Sequence, residues 1–373
     1  MDAYYLDAMA IATGHRDRAQ CPNTDAAFSR SITGLLALQS LPRVGATTAL
    51  RAALSSVDFA SLMERHGAVW SAAVAGAREV LEECERREIR VLGFFDDDYP
   101  QRMRAIHDPP PVIFVRGSID VLRNERMVAV VGTREPTSFG REATVELASV
   151  LAADGWGVVS GLAKGVDAVA HAVALDQGVS TVAVMAGGLD SIYPRENARL
   201  AADIVESGGA LIAEVPPGVR PQRSHFVARD RLQPALATAV VVSQTGIDGG
   251  TMHTVRYAAA QGRPVFCARP PSAHEQSAGL SVLLDAPARE LCDQLPAWAD
   301  ARRLCMRLGS QPLARGVSRR DFDEMLDGLE FALKAQQSPS EPVSRPIEKD
   351  ECLIEDDIAA GYDERSSPFA LID

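Results

Sequence analysis

Residues 127 to 185 read MVAVVGTREPTSFGREATVELASVLAADGWGVVSGLAKGVDAVAHAVALDQGVSTVAVM. Three short apolar runs, Met127 to Val131, Gly157 to Ser160 and Thr181 to Met185, are separated by Arg141 to Ala153 and Asp167 to Gln177, where apolar residues recur at helical spacing. Runs that are apolar on both faces and alternate with helices are the pattern of a parallel sheet covered on both sides. The alternation extends outward. Further runs lie at Val112 to Val115, Ala210 to Glu214, Ala239 to Ser243 and Pro264 to Cys267, with helical stretches at Arg195 to Ser207 and Thr251 to Gln261. The expected fold class is α/β, a Rossmann-like, doubly wound, mainly parallel sheet.

Towards the N-terminus the pattern becomes helical from Ser31 to Arg87, with Leu35, Leu36, Leu38 and Leu41 on one stripe and Leu50, Leu54, Phe59 and Leu62 on the next. The break between them, LPRVGATTA, resembles a helix-hairpin-helix turn, with Arg43 where that motif has its first glycine. The expected order is a flexible arm over 1–30, a small all-helical SAM-like domain over 31–95 and a Rossmann-like domain over 96–298. A helical segment over 299–337, with one helix near Arg319 to Ala335, and an acidic, disordered tail over 338–373 complete it.

The 373 residues carry a formal charge of −12, which taken as a sum is hostile to nucleic acid. Its distribution changes that conclusion. Ser338 to Asp373 holds ten acids and three bases, whereas Glu125 to Pro270 holds fourteen acids and thirteen bases, so the acidity belongs mainly to the tail. Six cysteines stand far apart, without a CxxC pair, which points to a reducing compartment and away from structural zinc. No run approaches the roughly 18 to 20 apolar residues of a membrane span, so a cytoplasmic protein with no membrane partner is expected.

In an open parallel sheet, ligands gather at the carboxyl ends of the strands. The loops expected there are rich in glycine and basic residues. VVGTREPTSFGR offers Gly132, Thr133 and Arg134, and SGLAKGVDAVAH offers Ser160, Gly161, Lys164 and Gly165, with Asp167 read as a helix cap. PPGVRPQRSHFVARDR brings Arg220, Arg223, Arg229 and Arg231 together with His225 and Phe226, with Asp230 as the one acid between Arg220 and Arg231. Guanidinium groups beside an aromatic ring suit phosphates and an unstacked base. A Walker GxxxxGK[ST] sequence and a GxGxxG sequence are both absent, which disfavours ATP hydrolysis and a standard dinucleotide site; no cofactor is expected. His171 reads as a packing residue and Asp190, in GLDSIYP, as the anchor of a turn.

GTREPTSFGR, SGLAKGVDAVAH, GLDSIYPREN and AEVPPG, in that order, resemble the DNA-processing protein DprA (Smf) family over roughly Tyr99 to Ala268. The resemblance implies a non-enzymatic, single-stranded DNA-binding protein that helps load a RecA-type recombinase in natural transformation and acts as a dimer. It places the DNA at Arg134, Lys164, Arg229 and Arg231. Asp230 stands where the family has an amide, and a carboxylate there repels phosphate unless a neighbouring arginine neutralises it. The alternative is a nucleotide sensor or a LOG-type phosphoribohydrolase, because Gly249, Gly250 and Thr251 also resemble a phosphate-binding turn. The glutamate of that enzyme group is replaced here by Thr254.

Overall fold

The computed structural model describes residues 26–337; the expected arm and acidic tail lie largely or wholly outside them. Nine strands form one sheet: β1 (Arg90–Gly93), β2 (Val112–Gly117), β3 (Met127–Val131), β4 (Gly157–Ser160), β5 (Thr181–Met185), β6 (Ala210–Ala213), β7 (Ala239–Val242), β8 (Val265–Ala268) and β9 (Ala314–Val317). Their spatial order is β1-β2-β6-β5-β4-β3-β7-β8-β9. The pairs β1–β2 and β2–β6 are antiparallel, and every pair from β6 to β9 is parallel. The chain winds one way from β3 through β4 and β5 to β6, then returns to place β7 on the other side of β3. That reversal makes the Rossmann-like topology.

Alternation along each strand supplies both faces. Val128, Val130 and Val241 are buried with α4 (Ser138–Ala153), α5 (Val166–Asp176) and α12 (Phe322–Gln337). Ala129, Val131, Val240 and Val242 are buried on the opposite face with α8 (Leu232–Leu236), α9 (Thr251–Ala260) and α10 (Ala278–Asp285). Thr137 starts α4 by accepting a hydrogen bond from the Gly140 amide at 3.3 Å, and Ala143, Leu147 and Leu151 then fall on the sheet side.

The helical module, α1 (Ile32–Ser40), α2 (Ala46–Leu54) and α3 (Ser56–Arg86), is continuous in packing with the sheet. Its leucines share one apolar cluster with Phe114 of β2, Ala183 and Met185 of β5, and Ile204 of α6 (Ala198–Glu206). Leu54, expected on the buried stripe, is 49% exposed at the end of α2. Arg43 sits at φ 60°, the left-handed conformation that glycine adopts without strain in such a turn.

The C-terminal segment departs from the expected pattern. Residues 299–337 are not helical alone: α11 (Arg302–Leu308) leads into β9, which pairs in parallel with β8, and Met325, Leu329 and Leu333 of α12 cover Phe266. β9 reads ARGV, too short and too charged to stand out as a strand. The Asp- and Pro-rich segment over 94–111, which joins β1 to β2, is packed, with the Tyr99 hydroxyl donating to the Pro110 carbonyl at 2.8 Å. No helix of the described residues is long and apolar enough to cross a membrane.

Candidate single-stranded nucleic-acid interface

The parallel strands end on a common rim, and the reversal in strand order sets the crevice there between β3 and β7. Protein fills it. The buried Gln244 side chain accepts from the Thr137 amide at 2.9 Å and donates to Ser277 Oγ at 3.0 Å, while the Thr133 amide donates to the Gln244 carbonyl at 2.8 Å. A Cβ on Gly132 would sit 2.6 Å from Val166 Cγ2, and one on Gly140 would strike the Gln244 amide group. These glycines admit neighbouring protein atoms into the crevice.

The loop after β4 is used in the same way. Gly165 has φ 80°, and a Cβ there would lie 2.5 Å from the carbonyl oxygens of Thr133 and Arg134, so the β3 and β4 loops touch through it. Asp167 does not cap α5, whose N-cap position is Gly165; its buried carboxylate accepts from the Gly161 amide at 3.1 Å and the Ala163 amide at 3.3 Å. Ser160 is fully buried and donates to the Val130 carbonyl at 2.7 Å, which removes it from a ligand-facing position.

Of the four residues expected to hold phosphate, two stand inside the protein. Arg231, 5% exposed, pairs through Nε with Asp108 at 2.7 Å and through Nη2 with Glu214 at 2.6 Å, and donates from Nη1 to the Ala228 carbonyl. A guanidinium so engaged is a structural cross-tie, and the expectation that it meets phosphate is corrected. Arg229, on α7 (Arg223–Asp230), is 4% exposed; it donates to the carbonyls of Gly161 and Val184 and pairs with Asp230 at 3.1 Å. It ties α7 to the loop after β4 and to strand β5 beneath the surface, and Gly161 lacks a side chain because the Arg229 guanidinium lies against it.

Phe226 joins this buried layer to the exposed one. The Arg134 guanidinium is 5.2 Å from its ring centroid, Arg229 is 5.9 Å away, and Tyr193 meets it edge-on at 5.8 Å. Arg134 is exposed and forms no ion pair among the described residues. Tyr193 is 51% exposed. Neither it nor the exposed Arg195 was among the expected site residues, although the aromatic and basic pair in IYPR was a usable signal. Lys164 is exposed and pairs with Glu196 at 2.5 Å, an exchangeable surface contact. Arg220 and Arg223 are exposed without ion pairs among the described residues.

Arg223 links this cluster to α9. It lies within electrostatic reach of His253, whose proton affinity is lowered by burial first and then by Arg256, with Arg223 also lowering it. Gly250, just before α9, has open space around it, whereas Gly249 lies against Thr245 and Thr251 is buried. Thr254 is buried and donates to Gln233 at 3.2 Å, so the position that carries a glutamate in the LOG-type enzymes is tied into packing. Asp190 accepts from the Gly218 amide at 2.8 Å, and the buried His171 bonds Thr181 at 2.7 Å, both as expected of structural residues.

Burial raises the Asp230 carboxyl to about 7 against the pull of Arg229, with Asp167 raising it further. Because the folded carboxyl holds its proton more tightly than the ordinary value of 3.8, stability falls as pH rises from about 4 to about 7. Asp230→Asn is expected to stabilise the protein by a few kcal/mol at pH 8, with the advantage vanishing below about pH 4. Urea unfolding of both proteins across that range checks it; an offset independent of pH would contradict it.

Residues 90–298 match the family model described as DNA recombination-mediator protein A. The DNA processing protein DprA of Bacillus subtilis is 37% identical over 205 residues, 55% of this chain and 68% of that protein. The chain spans about half, 48%, of each of two further curated relatives. Among solved structures, DprA of Streptococcus pneumoniae matches at 27% identity with a TM-score of 0.54, covering 69% of this chain and 96% of that one. DNA processing protein A of Helicobacter pylori, analysed for its single-stranded DNA binding mode, matches at 26% identity with a TM-score of 0.51, covering 65% and 97%.

Proposed function

The chain belongs to the DNA recombination-mediator protein A family, and from that membership we propose that it binds single-stranded DNA at the Phe226 cluster of its rim. Arg134, resting on Phe226, supplies a cation and a stacking plane; Lys164, Arg195, Arg220 and Arg223 supply further charge; Tyr193 offers a second aromatic surface. Arg229 acts beneath them by holding Phe226, the loop after β4 and strand β5 together. The observation that carries this reading is the pairing of the exposed Arg134 guanidinium, on the loop after β3, with the Phe226 ring of α7, beside a crevice into which the Gln244 side chain is bonded.

Delivery of the strand to a RecA-type recombinase during DNA uptake, a homodimeric assembly and a cytoplasmic location belong to the same proposal. The binding test is direct. Fluorescence anisotropy with labelled oligo(dT), run beside a panel of mononucleotides, is expected to give saturable binding of the oligonucleotide that millimolar-range nucleotides do not displace. Full displacement by one mononucleotide would favour a nucleotide sensor and overturn the proposal.

A further inference from the structure

We propose that the bound strand continues past the N-terminal end of α4 into a second basic groove at the β8–β9 end of the rim. This rests on the single-stranded DNA reading above. The groove has a volume of about 440 Å³ and is lined by Phe139, Leu147, Arg269, Arg319, Arg320 and Phe322, among others. That volume is within the usual size of a small-ligand cleft, about 300 to 1,000 Å³.

Position connects it to the Phe226 cluster. The strands β3, β7, β8 and β9 are parallel neighbours, so their carboxyl ends share the rim, and three spacings of about 4.8 Å put β9 roughly 14 Å from β3. At a stacked rise of about 3.4 Å per nucleotide this is roughly four nucleotides. Arg134 and Phe139 are carried by the same loop and helix start, so the end of α4, with its positive dipole, lies between the two sites.

Chemistry matches that of the first site. Arg269 lies across Gly316, where an added Cβ would be 2.5 Å from its Cζ, so the glycine provides a shelf for the guanidinium. Ser318 first, and then Arg269 and Arg320, hold the Asp321 carboxyl below its ordinary range; the carboxylate accepts from the Ser318 amide at 2.9 Å and from Ser318 Oγ at 2.7 Å. Arg319 pairs with Glu146 at the surface, where a phosphate can replace the carboxylate. Phe139 and Phe322 are partly buried and give the groove an aromatic floor.

Full-length protein is titrated with an oligo(dT) of about three nucleotides, shorter than the separation of the two sites, and one of about thirty, which reaches both. R269A/R320A is expected to weaken the long oligonucleotide about tenfold and to make its salt slope shallower by about 1.4, the share of two single-strand phosphates, while leaving the short one unchanged. E146Q, which removes the one carboxylate lining the groove and frees Arg319, is expected to tighten the long oligonucleotide about twofold to threefold. Unchanged long-oligonucleotide affinity and slope in R269A/R320A would overturn the inference. Equal losses on both lengths, or tighter binding by the double variant, would also overturn it. If the wild-type protein binds neither length, the single-stranded DNA reading itself fails and this inference with it.

Discussion

Replacing Arg231 by alanine is expected to cost the fold about 3 to 5 kcal/mol, because it leaves the Asp108 and Glu214 carboxylates without their shared cation. Against a total stability of about 5 to 15 kcal/mol for a typical domain, such a loss brings the protein close to unfolding. Asp108 already has its proton affinity raised by burial, with Arg231 the main influence pulling it down, so in R231A it gains a proton more readily. The deficit should therefore shrink as pH falls and the two acids are neutralised. Thermal and urea unfolding of R231A against wild type at several pH values tests this. A variant that melts normally but no longer binds DNA would return Arg231 to the ligand.

Arg134→Ala and Lys164→Glu are each expected to weaken oligo(dT) binding at least tenfold while leaving the melting temperature of the protein nearly unchanged. Arg134 is held in place by Phe226, so its loss removes a pre-oriented charge and a stacking partner; base stacking on such a platform contributes about 1 to 3 kcal/mol per base. Lys164→Glu acts differently. The wild-type pair with Glu196 contributes little as an exposed contact and gives way to phosphate, whereas the variant places two carboxylates side by side on the path of the strand. Both positions are exposed, which separates them from Arg231: their substitution should change affinity without changing folding.

The contrast between Arg134 and Arg231 also marks what the sequence could express. β3, β4 and β5 begin and end at the residues expected from their apolar runs, because a strand buried on both faces must be apolar throughout. The order of the rim loops was legible for the same reason. What FVARDR could not express is which of its arginines meet acids. Arg231 bonds the segment around Asp108, 123 residues away, and Glu214, 17 residues away, and neither partner is marked locally. The glycines after β3 and β4 carry a similar ambiguity: close approach to a phosphate and close approach to Gln244 or Arg229 call for the same missing side chain. Gln244 reaches Thr137 across 107 residues, and only the folded chain shows that it closes the crevice.

The central claim is that exposed cations gathered around Phe226 bind a polyanion although the whole chain is negative. Its most direct test is the salt dependence of oligo(dT) affinity. With three or four single-strand phosphates neutralised by Arg134, Lys164, Arg220 and Arg223, these contacts alone give log K against log salt a slope of about −2 to −3, and Arg134→Ala should make the observed slope shallower by about 0.7. A slope near zero, the same in wild type and variant, would contradict the account.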